Sequence, residues 1–109
     1  MTVSELAQMT DLEAILLPDP ERSVHGAYVG DLLSWVMGRA AADNAFITIM
    51  TNVNVIAVAA LTELSCVIFA ESTELPSEVL AAAEQKGINL LRSRLAAYET
   101  CCLLGRAGI

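Results

Sequence analysis

Few side chains in this sequence could do acid–base or covalent chemistry. The chain has one histidine, His25, and three cysteines, Cys66, Cys101 and Cys102. General-base catalysis needs a nucleophile or an orienting carboxylate near the histidine, and no spacing around His25 indicates such a set. Cys66 lies in an apolar run, and the other two cysteines lie near the end of a predicted helix, so all three are interpreted as packing residues. We therefore predict no catalytic residues.

The sequence also lacks the short motifs that hold metals and phosphates. Zinc sites use pairs such as CxxC or HxxxH, and the single histidine and three cysteines form no such pair. Gly26 and Gly30 do not have the GxGxxG spacing of a dinucleotide site, and no P-loop lysine follows them. We expect no metal site and no dedicated cofactor.

Alternating strands and helices are predicted to position any binding residues. The strands are predicted at residues 12–17, 24–29, 45–50, 64–70 and 88–91, and the helices at residues 3–9, 32–40, 53–63, 76–87 and 93–105. Asp31 is the predicted N-cap of the second helix and Ser93 that of the last. Right-handed βαβ crossovers would build an α/β fold of three layers. We expect one domain, residues 1–109, with a mostly parallel sheet of about four to five strands and helices on both faces.

Small polar residues follow the strands that are predicted to be parallel. They are Gly30, Asp31, Thr51, Asn52, Asn54, Glu71 and Ser72. In open parallel sheets, ligands bind beyond the carboxyl ends of the strands, and helix N-termini there attract anions. These residues are therefore the predicted ligand site. The alternative is that they are ordinary caps and turns.

The composition limits the kinds of partner that this protein is expected to bind. Thirteen acidic and six basic residues give a net charge of −7, which repels nucleic acid. The longest apolar runs are far shorter than the about 20 residues that a membrane span needs, so no membrane partner is expected. Residues 1–8 carry no secretory pattern, and we expect a cytoplasmic protein. Hydrophobic residues make up 55% of the chain, which indicates apolar surface buried against another chain.

Two predicted helices indicate that the other chain is a second copy of this one. The helix at residues 53–63 is apolar around nearly its whole circumference, and a sheet can cover only one side of it. Trp35 lies to one side of the preceding helix and would remain exposed in a monomer. A second copy is the simplest cover, because closed two-fold dimers are the commonest homo-oligomers. We predict a homodimer in which Ala57, Ala59 and Ala60 allow close helix approach.

The order of these motifs resembles the DRTGG domain over about residues 3–104. The segments that carry the resemblance are residues 28–37, with the run Gly-Asp-Leu-Leu-Ser-Trp-Val-Met, and residues 45–50, 55–60, 66–71, 78–91 and 97–100. It is most similar to the short, stand-alone members of anaerobic bacteria, which are often linked to hydrogenase and signalling genes. Other DRTGG domains accompany CBS domains in regulated enzymes. The resemblance implies a dimerising regulatory module and adenine nucleotides as ligands.

Two positions depart from the DRTGG pattern. Thr51-Asn52-Val53 stands where the family has Gly-Asp-Arg, and Ala70-Glu71-Ser72 stands where it has Thr-Gly-Gly. The first change removes an arginine that could pair with phosphate, and the second adds a carboxylate that repels it.

These observations favour a non-catalytic regulatory or interaction module that acts through dimerisation and is tuned by a small ligand at the strand ends. The alternative is a sensor domain for a small molecule, an adenine nucleotide. An enzyme is the third and least favoured interpretation. A regulated enzyme or a signalling protein is the expected partner.

Overall fold

Five helices and five strands follow one another along the chain in the computed structural model, which describes residues 1–109. In chain order they are α1 (Val3–Leu6), β1 (Leu12–Leu16), β2 (Ala27–Val29), α2 (Leu33–Arg39), β3 (Ala45–Thr48), α3 (Asn54–Leu61), β4 (Cys66–Phe69), α4 (Ser77–Lys86), β5 (Asn89–Ser93) and α5 (Ala97–Arg106). Every predicted element is present, and most differ from the prediction by one to three residues at their ends.

The five strands form one mixed sheet in the order β1-β5-β4-β3-β2. Strands β2 to β5 are parallel and lie side by side in chain order, each joined to the next through a helix. Strand β1 pairs antiparallel with β5 at one side of the sheet. The α/β class and the mostly parallel sheet are confirmed, with β1 as the antiparallel exception.

Alternate side chains of the strands build two cores, one on each face of the sheet. Phe46 and Val67 lie in a core with α2, α3 and α4, whereas their neighbours Ile47 and Ile68 lie in a second core with α1 and α5. Since consecutive βαβ crossovers have the same hand, the three connecting helices share one face. Helices therefore cover both faces, as predicted.

The predicted N-caps of α2 and α5, Asp31 and Ser93, were wrong. Leu32 occupies the N-cap of α2 and no side chain caps the helix, because the Asp31 carboxylate bonds to β3 instead. Ser93 is the last residue of β5, and its hydroxyl lies 2.7 Å from that of Thr100. Helix α5 begins only at Ala97, because residues 94–96 continue as a loop.

None of the helices combines the length and the apolar character that crossing a bilayer requires.

Candidate functional site

The carboxyl ends of the four parallel strands lie along one edge of the sheet, which we call the carboxyl edge. Because β1 is antiparallel, its first residues lie at the same edge. The strand order does not reverse between β2 and β5, so the crevice that a reversal would open in such a sheet is missing there. The predicted site residues are consequently spread along the edge, and different parts of the edge contain different groups.

A cavity of about 250 Å³ lies at the end of β2 and the start of α2. Its lining residues are Tyr28, Val29, Gly30, Asp31, Leu32 and Trp35. We call it the Trp35 cavity. Of the seven predicted site residues, only Gly30 and Asp31 line it. The sequence predicted an exposed Trp35 side chain but not its position beside Asp31.

Asp31 is held in place by contacts with the neighbouring strand. Its Oδ1 accepts hydrogen bonds from the Thr48 hydroxyl at 2.7 Å and from the Ile49 backbone amide at 3.1 Å. Thr48 is the buried last residue of β3, so these bonds hold the Asp31 carboxylate against the end of that strand. Its Oδ2 accepts no hydrogen bond from the protein. Asp31 thus presents a fixed, ionisable acceptor beside the cavity.

The aromatic wall of the cavity is exposed. The Trp35 side chain is 54% exposed, which agrees with the prediction that it is left uncovered in a monomer. One turn further along α2, the Arg39 guanidinium carbon lies 3.8 Å from the centre of the Trp35 ring. This cation–π contact covers one face of the ring and orients it. The indole is therefore positioned by the protein, although it is not buried.

The predicted residues after β3 line no cavity. The Asn52 side-chain oxygen accepts a hydrogen bond from the Asn54 amide at 3.0 Å, and Thr51 precedes this turn. Such a bond is the ordinary one at the start of a helix. Thr51 and Asn52 thus precede α3, and Asn54 is its first residue.

Glu71 and Ser72 lie in a tight turn after β4. Both residues have a positive φ, 61° and 53°. Their amides donate to the carbonyls of Leu95 and Ser93, each at 2.8 Å, and join this turn to the loop after β5. Ser72 also lines a second, smaller cleft of about 130 Å³. Glu71 lines neither cavity.

Charges in this second cleft are paired. Arg92 contacts Glu13 at 3.2 Å and Arg94 contacts Asp11, and all four residues line the cleft. Arg94 forms an ion pair with Asp11 Oδ1, a buried oxygen that accepts no aligned hydrogen bond. Sequence reasoning missed this cluster, since the pairing joins β1 to β5 across about 80 residues of chain. The paired charges leave little net attraction for an anion.

The thiols lie away from both cavities. Burial raises the pKa of the Cys66 thiol from its usual 9.0 to about 12, and partial burial raises the pKa of the Cys101 thiol. A raised pKa leaves little thiolate near neutral pH, and the thiolate is the reactive form. Cys66 therefore behaves as a core residue, as predicted. The exposed His25 lies before β2, where its carbonyl accepts a hydrogen bond from the Asn44 side chain at 2.7 Å.

Comparison with known proteins places this geometry in a known fold. No family model matches the sequence, and no curated protein matches it. The CBS and DRTGG domains of the regulatory region of Clostridium perfringens pyrophosphatase, solved with the activator diadenosine tetraphosphate, superpose with a TM-score of 0.69 at 12% sequence identity. The chain has a DRTGG/CBS-like fold. The match covers 94% of this chain and 48% of the other, so this chain spans about half the length of that regulatory region.

The backbone at Glu71 and Ser72 agrees with the DRTGG resemblance. The resemblance aligns these residues with the two glycines of Thr-Gly-Gly, and both have the positive φ that glycine adopts without strain. A glycine would therefore adopt this turn with less strain than Glu71 or Ser72 does.

Proposed function

We propose that this chain is a non-catalytic regulatory module that forms a homodimer and binds a small ligand at the carboxyl edge of its sheet. The observation that carries the proposal is the fold likeness to the regulatory region of a pyrophosphatase. A module of this kind acts when ligand binding changes its contacts with a partner. The proposal includes one cytoplasmic domain of residues 1–109, related to the stand-alone bacterial DRTGG proteins, with a regulated enzyme or signalling protein as partner.

The proposed dimer surface is the outer side of α3, which is the middle helix of the three on its face. Val55, Ile56 and Ala59 of this helix point into the core, so the prediction that Ala59 allows close helix approach in a dimer was wrong. Ala57 is exposed and Leu61 is 71% exposed, and the two lie one turn apart on the outer side. A small residue beside an exposed leucine allows a second helix to approach closely. Such an interface would bury on the order of 1,200–2,000 Å² in total.

The dimer is tested by placing a charge on this surface. Ala57→Glu adds a carboxylate at an exposed position, so the monomer fold should survive while the dimer dissociates, because a charge buried there would lack a partner. Light scattering at micromolar concentration should report about twice the chain mass for the original protein and the single-chain mass of 11.6 kDa for Ala57→Glu.

Ala81→Glu is the matched control, since Ala81 is exposed on the neighbouring helix α4. It should leave the dimer intact. A monomeric original protein, or equal dissociation of both variants, would refute the proposed surface.

The ligand is proposed to bind at Gly30 and Asp31, because these are the predicted positions that line the Trp35 cavity. The other predicted positions, Thr51, Asn52, Asn54, Glu71 and Ser72, flank this site along the carboxyl edge and stay predictions. The general test is a thermal melt with a panel of nucleosides and nucleotides. A ligand at 100 times its Kd adds about 2.7 kcal/mol, which raises Tm by several degrees in a domain of this size.

The second candidate is an adenine-nucleotide sensor. It is favoured by the activator of the Clostridium perfringens structure, which contains two adenosines joined by phosphates. A sensor of this kind should bind ATP or AMP more tightly than adenosine. The same panel separates the two candidates.

A further inference from the structure

The Trp35 cavity has the size and the walls for a single flat ring system. Its volume of about 250 Å³ lies below the roughly 300–1,000 Å³ of sites for drug-sized ligands. Tyr28 and Trp35 contribute aromatic surface, and Val29 and Leu32 contribute aliphatic surface. Arg39 already covers one face of the Trp35 ring, so a ligand ring can stack only on the other. A planar ring of nucleobase size fits these walls.

Charge in the cavity favours a hydrogen-bond donor and disfavours an anion. Asp31 is the only charged residue in the lining, and its Oδ1 is already used by Thr48 and Ile49. Its Oδ2 is left to accept a bond from a ligand, and a carboxylate accepts from an amino group more strongly than a neutral oxygen does. No lysine or arginine lines the cavity, and the chain carries a net charge of −7. A phosphate group in the cavity would lie beside the Asp31 carboxylate, and the Arg39 guanidinium is separated from the cavity by the Trp35 ring.

From the cavity size, the exposed indole and the free Asp31 oxygen, we infer that the Trp35 cavity binds an uncharged heteroaromatic ring of nucleobase size that carries an amino group, and that it rejects the phosphorylated forms. The ring stacks on Trp35, and its amino group donates to Asp31 Oδ2. This inference rests on the proposed ligand-binding role of the carboxyl edge, and it assigns a ligand chemistry to that role.

The single tryptophan of the chain lines the cavity, so its fluorescence reports binding directly. The original protein is titrated with adenine, adenosine, cytosine, cytidine and ATP in the presence of EDTA. We expect a saturable change of Trp35 emission with at least one unphosphorylated compound. ATP should bind about tenfold more weakly than adenosine or not at all, because each phosphate charge is placed near Asp31.

The role of Asp31 is tested with Asp31→Asn, which keeps an oxygen for Thr48 and Ile49 but removes the negative charge. Binding of the amino-bearing ring should weaken about fivefold, the difference between a charged and a neutral acceptor, and the discrimination against ATP should shrink. Glu78→Gln is the control, because Glu78 is exposed on α4. It removes one negative charge at a position outside the cavity, so it should change neither the affinity for the ring nor the discrimination against ATP.

Two outcomes would overturn the inference, and one of them would also contradict the proposed ligand-binding role. Tighter binding of ATP than of adenosine, with the same change in Trp35 emission, would refute the ligand chemistry and leave the proposed ligand-binding role standing. If no compound changes Trp35 emission or Tm at millimolar concentration, both the inference and the ligand-binding part of the proposed function are wrong.

Discussion

The amino ends of the four parallel strands lie along the opposite edge of the sheet, which we call the amino edge. There, the segment of residues 17–26 passes from β1 on one side of the sheet to β2 on the other. Side-chain hydrogen bonds hold it against the strands. The Asn89 side chain accepts from the Asp19 amide at 2.9 Å and donates to the carbonyls of Asp19 and Ser65 at 2.7 and 3.0 Å. The Arg22 guanidinium donates to Asp43 and to the Glu63 carbonyl, at 3.2 and 2.8 Å.

Along the carboxyl edge from β2 to β4, away from the ion pairs beside β1 and β5, the side chains are less engaged with one another. Asp31 keeps one carboxylate oxygen free, and the side chains of Glu71 and Ser72 make no hydrogen bond. Trp35 and Leu32 are exposed there. The amino edge is therefore closed by long-range hydrogen bonds, whereas the β2 to β4 part of the carboxyl edge keeps polar groups without partners and exposed apolar surface. Binding residues are typically found on loops that a rigid scaffold positions, and the amino edge provides that rigidity.

The largest expected effect of a substitution is at the amino edge. Asn89 is 1% exposed, and Asn89→Ala leaves the Ser65 carbonyl and the Asp19 amide without partners and removes one of the two bonds to the Asp19 carbonyl. The buried Ser65 carbonyl costs about 1–3 kcal/mol when it is unsatisfied, and each lost part-buried bond costs about 1 kcal/mol, so with partial relaxation we expect a loss of about 3 kcal/mol. Urea denaturation measures it.

The matched control is Asn52→Ala at the carboxyl edge. Asn52 is exposed and makes a single local bond to the Asn54 amide, so the loss should stay below about 1 kcal/mol. Equal losses in the two variants would show that the edges do not differ in this way.

The second expected effect is a loss of folding stability at high pH, caused by a thiol at the amino edge. Cys66 begins β4, and burial raises the pKa of its thiol from 9.0 to about 12. Between these values the unfolded chain releases the thiol proton while the folded chain retains it, so stability falls as the pH rises above about 9. The fall is about 1.4 kcal/mol per pH unit, or about 2 kcal/mol at pH 10.5.

Urea denaturation at pH 8.5 and pH 10.5 measures this fall. Other groups also titrate in the range, so the comparison is with Cys66→Ala, whose stability should fall by about 2 kcal/mol less between the two pH values. An identical fall in both proteins would mean that this end of β4 admits water.

The central strands could be predicted from the sequence and the outer ones only in part. Residues 45–50 and 64–70 are continuous β-branched and apolar runs, the pattern of strands covered on both faces, and they became β3 and β4. The direction of β1 was not predictable, because an apolar run does not encode whether its partner is parallel or antiparallel. That direction depends on the path of residues 17–26, which long-range contacts such as Asp19 with Asn89 determine.

Gly30 and Asp31, two of the predicted site residues, line a cavity, but the rest of its lining was not predicted. Asp31 was assigned to the site from its place after a strand, but it was also expected to cap α2. Its carboxylate contacts Thr48 instead, a residue 17 positions away that becomes a neighbour only in the folded sheet. Helix geometry predicted an exposed Trp35. The cavity itself could not be predicted, because it forms only where Tyr28 on the outer strand β2 meets Leu32 and Trp35.

The smallest effect concerns strain at the carboxyl edge. At the amino edge, Asp43 and Glu63 also have a positive φ, but Arg22 donates to the Asp43 carboxylate and to the Glu63 carbonyl. Ser72 has a φ of 53° and no side-chain hydrogen bond to compensate. A left-handed conformation costs a non-glycine residue about 1–2 kcal/mol. Glycine avoids this cost, but its greater freedom in the unfolded chain offsets part of the gain in stability.

Ser72→Gly should therefore stabilise the protein by about 0.5–1 kcal/mol in urea denaturation. The matched variant Ser72→Ala keeps a Cβ and removes only the hydroxyl, so it should change stability by less than about 0.5 kcal/mol. Nearly equal values for glycine and alanine would mean that the turn carries no strain. A loss on Ser72→Gly would mean that the serine hydroxyl stabilises the turn, and the contrast in side-chain engagement between the two edges would then not extend to residue 72.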